Sequence, residues 1–196
     1  TMRFLIFALC TAVLAISCKE DPINTALASV EMSLSDNPKS SLEALELLDN
    51  QTLKTREQKA KYALLYSIAL DKNYIDVTKD SIIAPAVKYY ECHGSQEEKF
   101  LCNFYQARIY ENAGDNKSAL LSAVKAESID TSKVSAEDKC LLYALKGRIY
   151  HDEWRIQESI EAYKSACRYA LASDKFRHYA YYALKVADMY RHDNDV

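Results

Sequence analysis

The chain has 196 residues, 49% hydrophobic and 27% charged, with 25 basic against 28 acidic side chains and a formal net charge of −3, which is material for one sizeable core. The two signs are balanced and neither forms a long run, so the electrostatic footprint of a nucleic-acid backbone is missing and DNA and RNA are excluded as direct partners. Three glycines and three prolines are too few turn-formers for a sheet-rich fold, and an all-α class is expected.

The first element is a leader. Arg3 followed by an apolar stretch from Phe4 to Ile16 reads as an export signal, because thirteen apolar-leaning residues are too few to span a bilayer core. Ala15-Ile16-Ser17-Cys18 resembles a bacterial lipobox. That resemblance implies a signal peptide over 1–17, lipidation at Cys18 and a short tether over 18–23; a plain signal peptide that contains a cysteine is the alternative.

From residue 24 onward, apolar periodicity and capping signals predict helices over 24–34, 38–49, 55–72, 79–93, 95–113, 115–129, 135–152, 155–172 and 174–192. Asp36-Asn37-Pro38 supplies a turn and a helix-starting proline, Ser95 with Glu98 makes a capping box, and Ser135 with Asp138 gives a similar start. Pro85 removes a backbone donor inside the fourth segment and predicts either a kink or a start nearer Ile82. In the long connection KNYIDVT, Tyr74 and Ile75 are expected to fold back onto the helices. The last segment has no partner helix, and Tyr182, Val186 and Met189 are expected to be left bare at the end of the chain, which implies truncation of the 24–196 domain or pairing with another chain.

The segments repeat. GRIYHDEWR at 147 to 155 echoes ARIYENAGD at 107 to 115, and Leu42, Ile83, Leu120 and Ile160 take equivalent places at spacings of 41, 37 and 40. A second register sets a small residue one helical turn before a tyrosine: Ala63 and Tyr66, Ala107 and Tyr110, Gly147 and Tyr150, Ala187 and Tyr190. Small residues at these places let a neighbouring helix approach closely, with the tyrosine filling the gap beside it.

This small-x-x-Tyr helix, the Gly114-Asp115 turn and a second helix carrying Ala119 and Ala126 resemble the tetratricopeptide repeat. The resemblance implies a right-handed α-α superhelix of antiparallel helix pairs, about nine helices in all, although the family's period is about 34 residues and these repeats are longer. Trp154 and Arg155 stand where the Gly-Asp turn would be in the later copy, a departure that bears on that turn's geometry. With the lipobox-like start, the chain resembles the tetratricopeptide lipoproteins of Bacteroidetes, which implies a bacterial envelope location, lipid-anchored at the outer membrane or the periplasmic face.

Chemistry is sparse. There is no Gly-rich phosphate loop, GxSxG or HExxH, and His151, Asp152 and Glu153 are consecutive on a helix, so they cannot converge on a metal. No catalytic residue, metal or cofactor is expected. Cys92, Cys102, Cys140 and Cys167 form no CxxC; free, mostly buried thiols are the expectation and disulfides the alternative in an exported protein. By the resemblance, first helices line a concave groove, and the residues one beyond the small position, Leu64, Arg108, Arg148 and Asp188, face it. Phe104, Glu111, His151, Tyr181 and Arg191 lie one turn away. Arg108 and Arg148 are suited to hold a carboxylate-bearing peptide bidentately, with Phe104 and Tyr181 as flat apolar contacts; the alternative is that both arginines pair with nearby acids of the chain. The function expected from this is a non-catalytic scaffold binding a protein or peptide. Alternatives are the sensory half of a longer envelope-spanning regulator and an accessory glycan-binding lipoprotein, and the last helix is a candidate for self-association.

Overall fold

The structure is a computed structural model that describes residues 21–48 and 52–194. The leader, Cys18 and the first part of the tether lie outside the described residues. Nine α-helices and two short 3-10 turns are present among the described residues, with no strand. The helices are α1 (Pro22–Ser33), α2 (Pro38–Glu46), α3 (Arg56–Lys72), α4 (Ala84–His93), α5 (Gln96–Asn112), α6 (Asn116–Ser128), α7 (Ala136–Asp152), α8 (Ile156–Ala172) and α9 (Phe176–Asn194).

Local chemistry accounts for the starts. Asp21 accepts the Ile23 amide at 3.0 Å ahead of Pro22, and Pro38 opens α2. Ser95 and Glu98 form the expected capping box on α5, and Ser135 accepts the Asp138 amide at 3.0 Å on α7. Thr55 and Gln58 make a further box on α3. Gln58 is buried, and its amide nitrogen also donates to Asp21 and Asn24, so one side chain closes the start of α3 and ties it to the start of α1. Pro85 sits in the first turn of α4, which begins at Ala84 after a 3-10 turn over Asp80–Ile82; the later start, rather than a kink, accommodates the missing donor.

The helix ends share a device. After α3, α5, α7 and α8 one residue enters the left-handed region: Tyr74 at φ 59°, Gly114 at 74°, Trp154 at 58° and Asp174 at 56°. The next amide in each case returns to a carbonyl five residues back, as in Asp115 to Tyr110 at 2.9 Å and Arg155 to Tyr150 at 2.8 Å. Trp154 therefore makes the same turn as Gly114 despite its bulk. The conformation throws the Tyr74 and Trp154 side chains outward, and Tyr74 is 95% exposed instead of folded back, while half-exposed Ile75 lies beside Ser67 and Asp71 of α3. Val77 is the residue of that connection that packs against the core.

Each helix packs on the next one in sequence, and α1 with α3, α3 with α5 and α5 with α7 also touch. This order explains the burial pattern. In α5, Phe100, Phe104 and Ala107 form one buried stripe and Cys102, Tyr105 and Ile109 a second; in α7, Cys140, Ala144 and Gly147 and then Leu142, Leu145 and Ile149 repeat both at a shift of 40 residues. A helix apolar on two sides is one held between neighbours. One buried cluster runs from Leu27 to Ile149, and a second joins α7, α8 and α9 through Cys140, Ala144, Tyr163, Ala166, Ala170 and Tyr182. At Gly147 a Cβ would meet the Tyr163 ring at 2.9 Å, and Ser159 Oγ donates to the Gly147 carbonyl at 2.8 Å, so α7 and α8 approach as closely as a glycine allows.

In α9 the exposed stripe differs from the expected one. Tyr182 and Met189 are buried and Val186 packs on the α8 cluster, because the preceding hairpin takes that side; the large exposed apolar residues are Phe176, Tyr179, Tyr181, Leu184 and Tyr190. Ala187 is exposed, whereas its counterparts Ala63, Ala107 and Gly147 are buried beneath a following helix. The four cysteines that the structure describes are free, Cys102 and Cys140 buried and Cys92 exposed.

Candidate functional site

A cleft of about 680 Å³ lies along the first helices. Its apolar floor is Leu34 at the end of α1, Leu64, Leu65 and Ile68 on α3, Leu101 and Tyr105 on α5, and Leu141 on α7. The rim is acidic: Glu31 and Asp36 at one end, Glu97 and Glu98 on the first turn of α5, Glu137 and Asp138 on the first turn of α7, against Lys72 and Lys175. Helix N-termini favour acids locally through their macrodipole, and the sequences SQEE at 95–98 and SAED at 135–138 repeat the arrangement.

Part of this rim is paired. Glu31 meets Lys61 at 2.7 Å and Glu137 meets Lys175 at 3.0 Å, while Glu98 and Asp138 bond the capping serines. The carboxylates of Asp36 and Glu97 make no hydrogen bond or ion pair with the described residues. Burial pushes the Asp138 carboxyl above its ordinary value, and Glu137 adds to the shift, with the Ser135 hydroxyl and Lys72 opposing it. Burial likewise holds the Tyr105 phenol in its neutral form.

The residues that the sequence pointed to lie elsewhere, apart from Leu64. Phe104 is 3% exposed and packs against Phe100 and Tyr105 in the core, so its ring offers no face to a ligand; the position falls on the buried stripe of α5. Arg108 donates from Nε and Nη2 to Asp71 at 3.0 and 2.7 Å and from Nη1 to Glu111 at 2.7 Å. Arg148 donates from Nε and Nη2 to the same Glu111 at 2.7 and 3.1 Å. The arginines are thus engaged by the chain's own acids, each inter-helix pair separated by 37 residues, in a ladder Asp71–Arg108–Glu111–Arg148 that links α3, α5 and α7.

The remaining candidates are peripheral. His151 Nδ1 lies 3.4 Å from Asp152 on its own helix. Asp188 and Arg191 pair with each other at 3.0 Å. Tyr181 is 53% exposed, edge-on to Tyr182 and beneath Lys185. These three places do not meet the cleft. Among the described residues no group of three or more His, Cys, Asp or Glu side chains is arranged to hold a metal ion, and no helix is long and apolar enough to cross a membrane.

The acidic rim escaped sequence reasoning because Glu97, Glu98, Glu137 and Asp138 each have a sufficient local explanation as a cap partner or first-turn residue, and Asp36 as part of a turn. The available signal was the repetition of SQEE and SAED at 40 residues, the same spacing as the buried stripes. A comparison with protein-family models, curated proteins and solved structures gives no significant match.

Proposed function

We propose that the chain is a non-catalytic helical-repeat scaffold, exported and lipid-anchored through Cys18 in a bacterial envelope, that holds a protein or peptide segment in the cleft along its first helices. The hairpins are read as a tetratricopeptide-like right-handed superhelix. The observation that carries the binding role is that α1, α3, α5 and α7 all contribute side chains to one cleft with an apolar floor and a charged rim. Apolar floors with a few polar groups at the edge suit an extended or helical segment. The 40-residue recurrence of buried stripes and of left-handed turns at Tyr74, Gly114 and Trp154 supports the repeat reading.

A photo-crosslinking amino acid at Leu101 or Leu141 in the cleft, compared with Leu121 on the exposed side of α6, tests the binding role in envelope preparations. Adducts to a discrete polypeptide are expected from Leu101 and Leu141 and not from Leu121; equal adducts from all three would end the cleft assignment. For the anchor, lipid labelling is expected to disappear in Cys18→Ala, and normal processing of that variant would show that the segment is a plain leader.

A further inference from the structure

We propose that the segment held in the cleft is cationic: an extended peptide in which lysine or arginine alternates with aliphatic side chains. The inference rests on reading the cleft as a peptide site and assigns the chemistry of its occupant.

The floor accepts aliphatic side chains, since Leu64, Leu65, Ile68, Leu101 and Leu141 meet there from three helices. Six carboxylates stand over that floor; Glu31 is answered by Lys61 and Glu137 by Lys175, which leaves Asp36, Glu97, Glu98 and Asp138 against Lys72. The partial positive charge of about half a unit at each of the α5 and α7 N-termini offsets only part of this excess. Asp36, in the turn after α1, and Glu97, in the first turn of α5, have no hydrogen-bond or ion-pair partner within the described chain. An acidic ligand would add like charge to this space and a neutral one would gain nothing from it, whereas a cationic one is attracted to it. In an extended strand successive side chains point to opposite sides, so one row of aliphatic groups reaches the floor while the other row of ammonium or guanidinium groups reaches the rim.

The arginines of the ladder do not compete with this assignment. Arg108 and Arg148 are neutralised by Asp71 and Glu111 and do not line the cleft. The positive side chains that would have recruited a carboxylate peptide are engaged by acids of the scaffold, and most of the unpaired charges of the rim are negative.

The test is fluorescence anisotropy of the chain with three labelled peptides of about nine residues, alternating Leu with Lys, Ser or Glu, at about 50 mM and about 0.5 M salt. The Lys-Leu peptide is expected to bind roughly tenfold more tightly than the Ser-Leu peptide at low salt and to lose most of that advantage at high salt. The double variant Asp36→Asn with Glu97→Gln is expected to weaken it about fivefold, whereas Glu43→Gln with Glu46→Gln, which removes the same charge from exposed positions on α2, leaves it unchanged. Equal effects of the two double variants, or Ser-Leu or Glu-Leu binding as tight as Lys-Leu, would overturn the cationic assignment. A Leu101→Ser and Leu141→Ser variant separates the two levels: tight Glu-Leu binding that is lost in this variant leaves the cleft in place and removes only the cationic occupant. If no peptide binds, or if binding survives that floor change, the cleft reading fails and the inference fails with it.

Discussion

Substitution of Glu111 by Gln probes the ladder that joins three successive hairpins. The carboxylate is only 13% exposed and accepts from Arg108 Nη1 at 2.7 Å and from Arg148 Nε and Nη2 at 2.7 and 3.1 Å. Charge-assisted bonds of this kind contribute about 1.5–3 kcal/mol when desolvated, but Arg108 and Arg148 are 24% and 39% exposed, which moves each contact toward the 0.2–1 kcal/mol of about a surface pair. Glutamine keeps one acceptor oxygen and loses the charge. The expected destabilisation is therefore about 2 kcal/mol, or about 4–8 °C in Tm for a domain of this size. Urea unfolding followed by far-UV circular dichroism measures it, and a cycle with Arg148→Met isolates the pair, for which a coupling of about 1 kcal/mol is expected. Coupling of Glu111 to Arg108 should be smaller, because Asp71 retains two of that guanidinium's bonds. A coupling with Arg148 below about 0.3 kcal/mol would refute the idea that the ladder joins the hairpins energetically.

Four further outcomes follow from the geometry. Gly147→Ala should destabilise by about 1–2 kcal/mol, overpacking against the Tyr163 ring outweighing the gain in helix propensity; an unchanged urea midpoint would mean that α7 and α8 are not in close contact. Gly114 has open space around it and φ 74°, so Gly114→Ala should cost about 1 kcal/mol through backbone strain alone, while Trp154→Gly, relieving φ 58°, should raise stability by about 0.5–1 kcal/mol; effects of the same sign in both would remove the shared left-handed turn. Burial pushes the thiol of Cys140 up to about 11 and that of Cys102 up to about 12. Between the ordinary thiol range and these values the unfolded chain holds fewer protons than the folded one, so stability falls as pH rises above about 9. In the native state a thiol reagent at pH 8 should modify exposed Cys92 and spare Cys102 and Cys140, and equally rapid modification of Cys102 and Cys140 would contradict their burial.

Features that depend on a few adjacent residues were legible in the sequence. Helix starts at Ser95 and Ser135, the proline-opened α2 and the register of small residues before tyrosines all follow from capping and 3.6-residue periodicity, which are local. The capping box at Thr55 and Gln58 was equally local and was passed over. What the linear chain did not reveal was decided by contacts between residues about 37 to 40 positions apart. Arg108 and Arg148 could be read along the chain either as ligand-binding groups or as partners of its own acids, and only the folded contacts with Asp71 and Glu111 decide for the second. Phe104 looked like a surface aromatic because a helix buried on two sides gives no amphipathic signal from which its open face can be read.

Helical class, most of the helix starts and the period at which the helices recur follow from backbone propensity and neighbouring side chains, so they could be read along the chain. Tertiary structure alone decided which faces of those helices meet, which side of α9 stays open, and that capping acids on α5 and α7 share one cleft with Asp36 and Glu31. The physical reason is range: a cap acts across one turn of helix, whereas charge complementarity and packing depend on distances that exist only after the hairpins have come together.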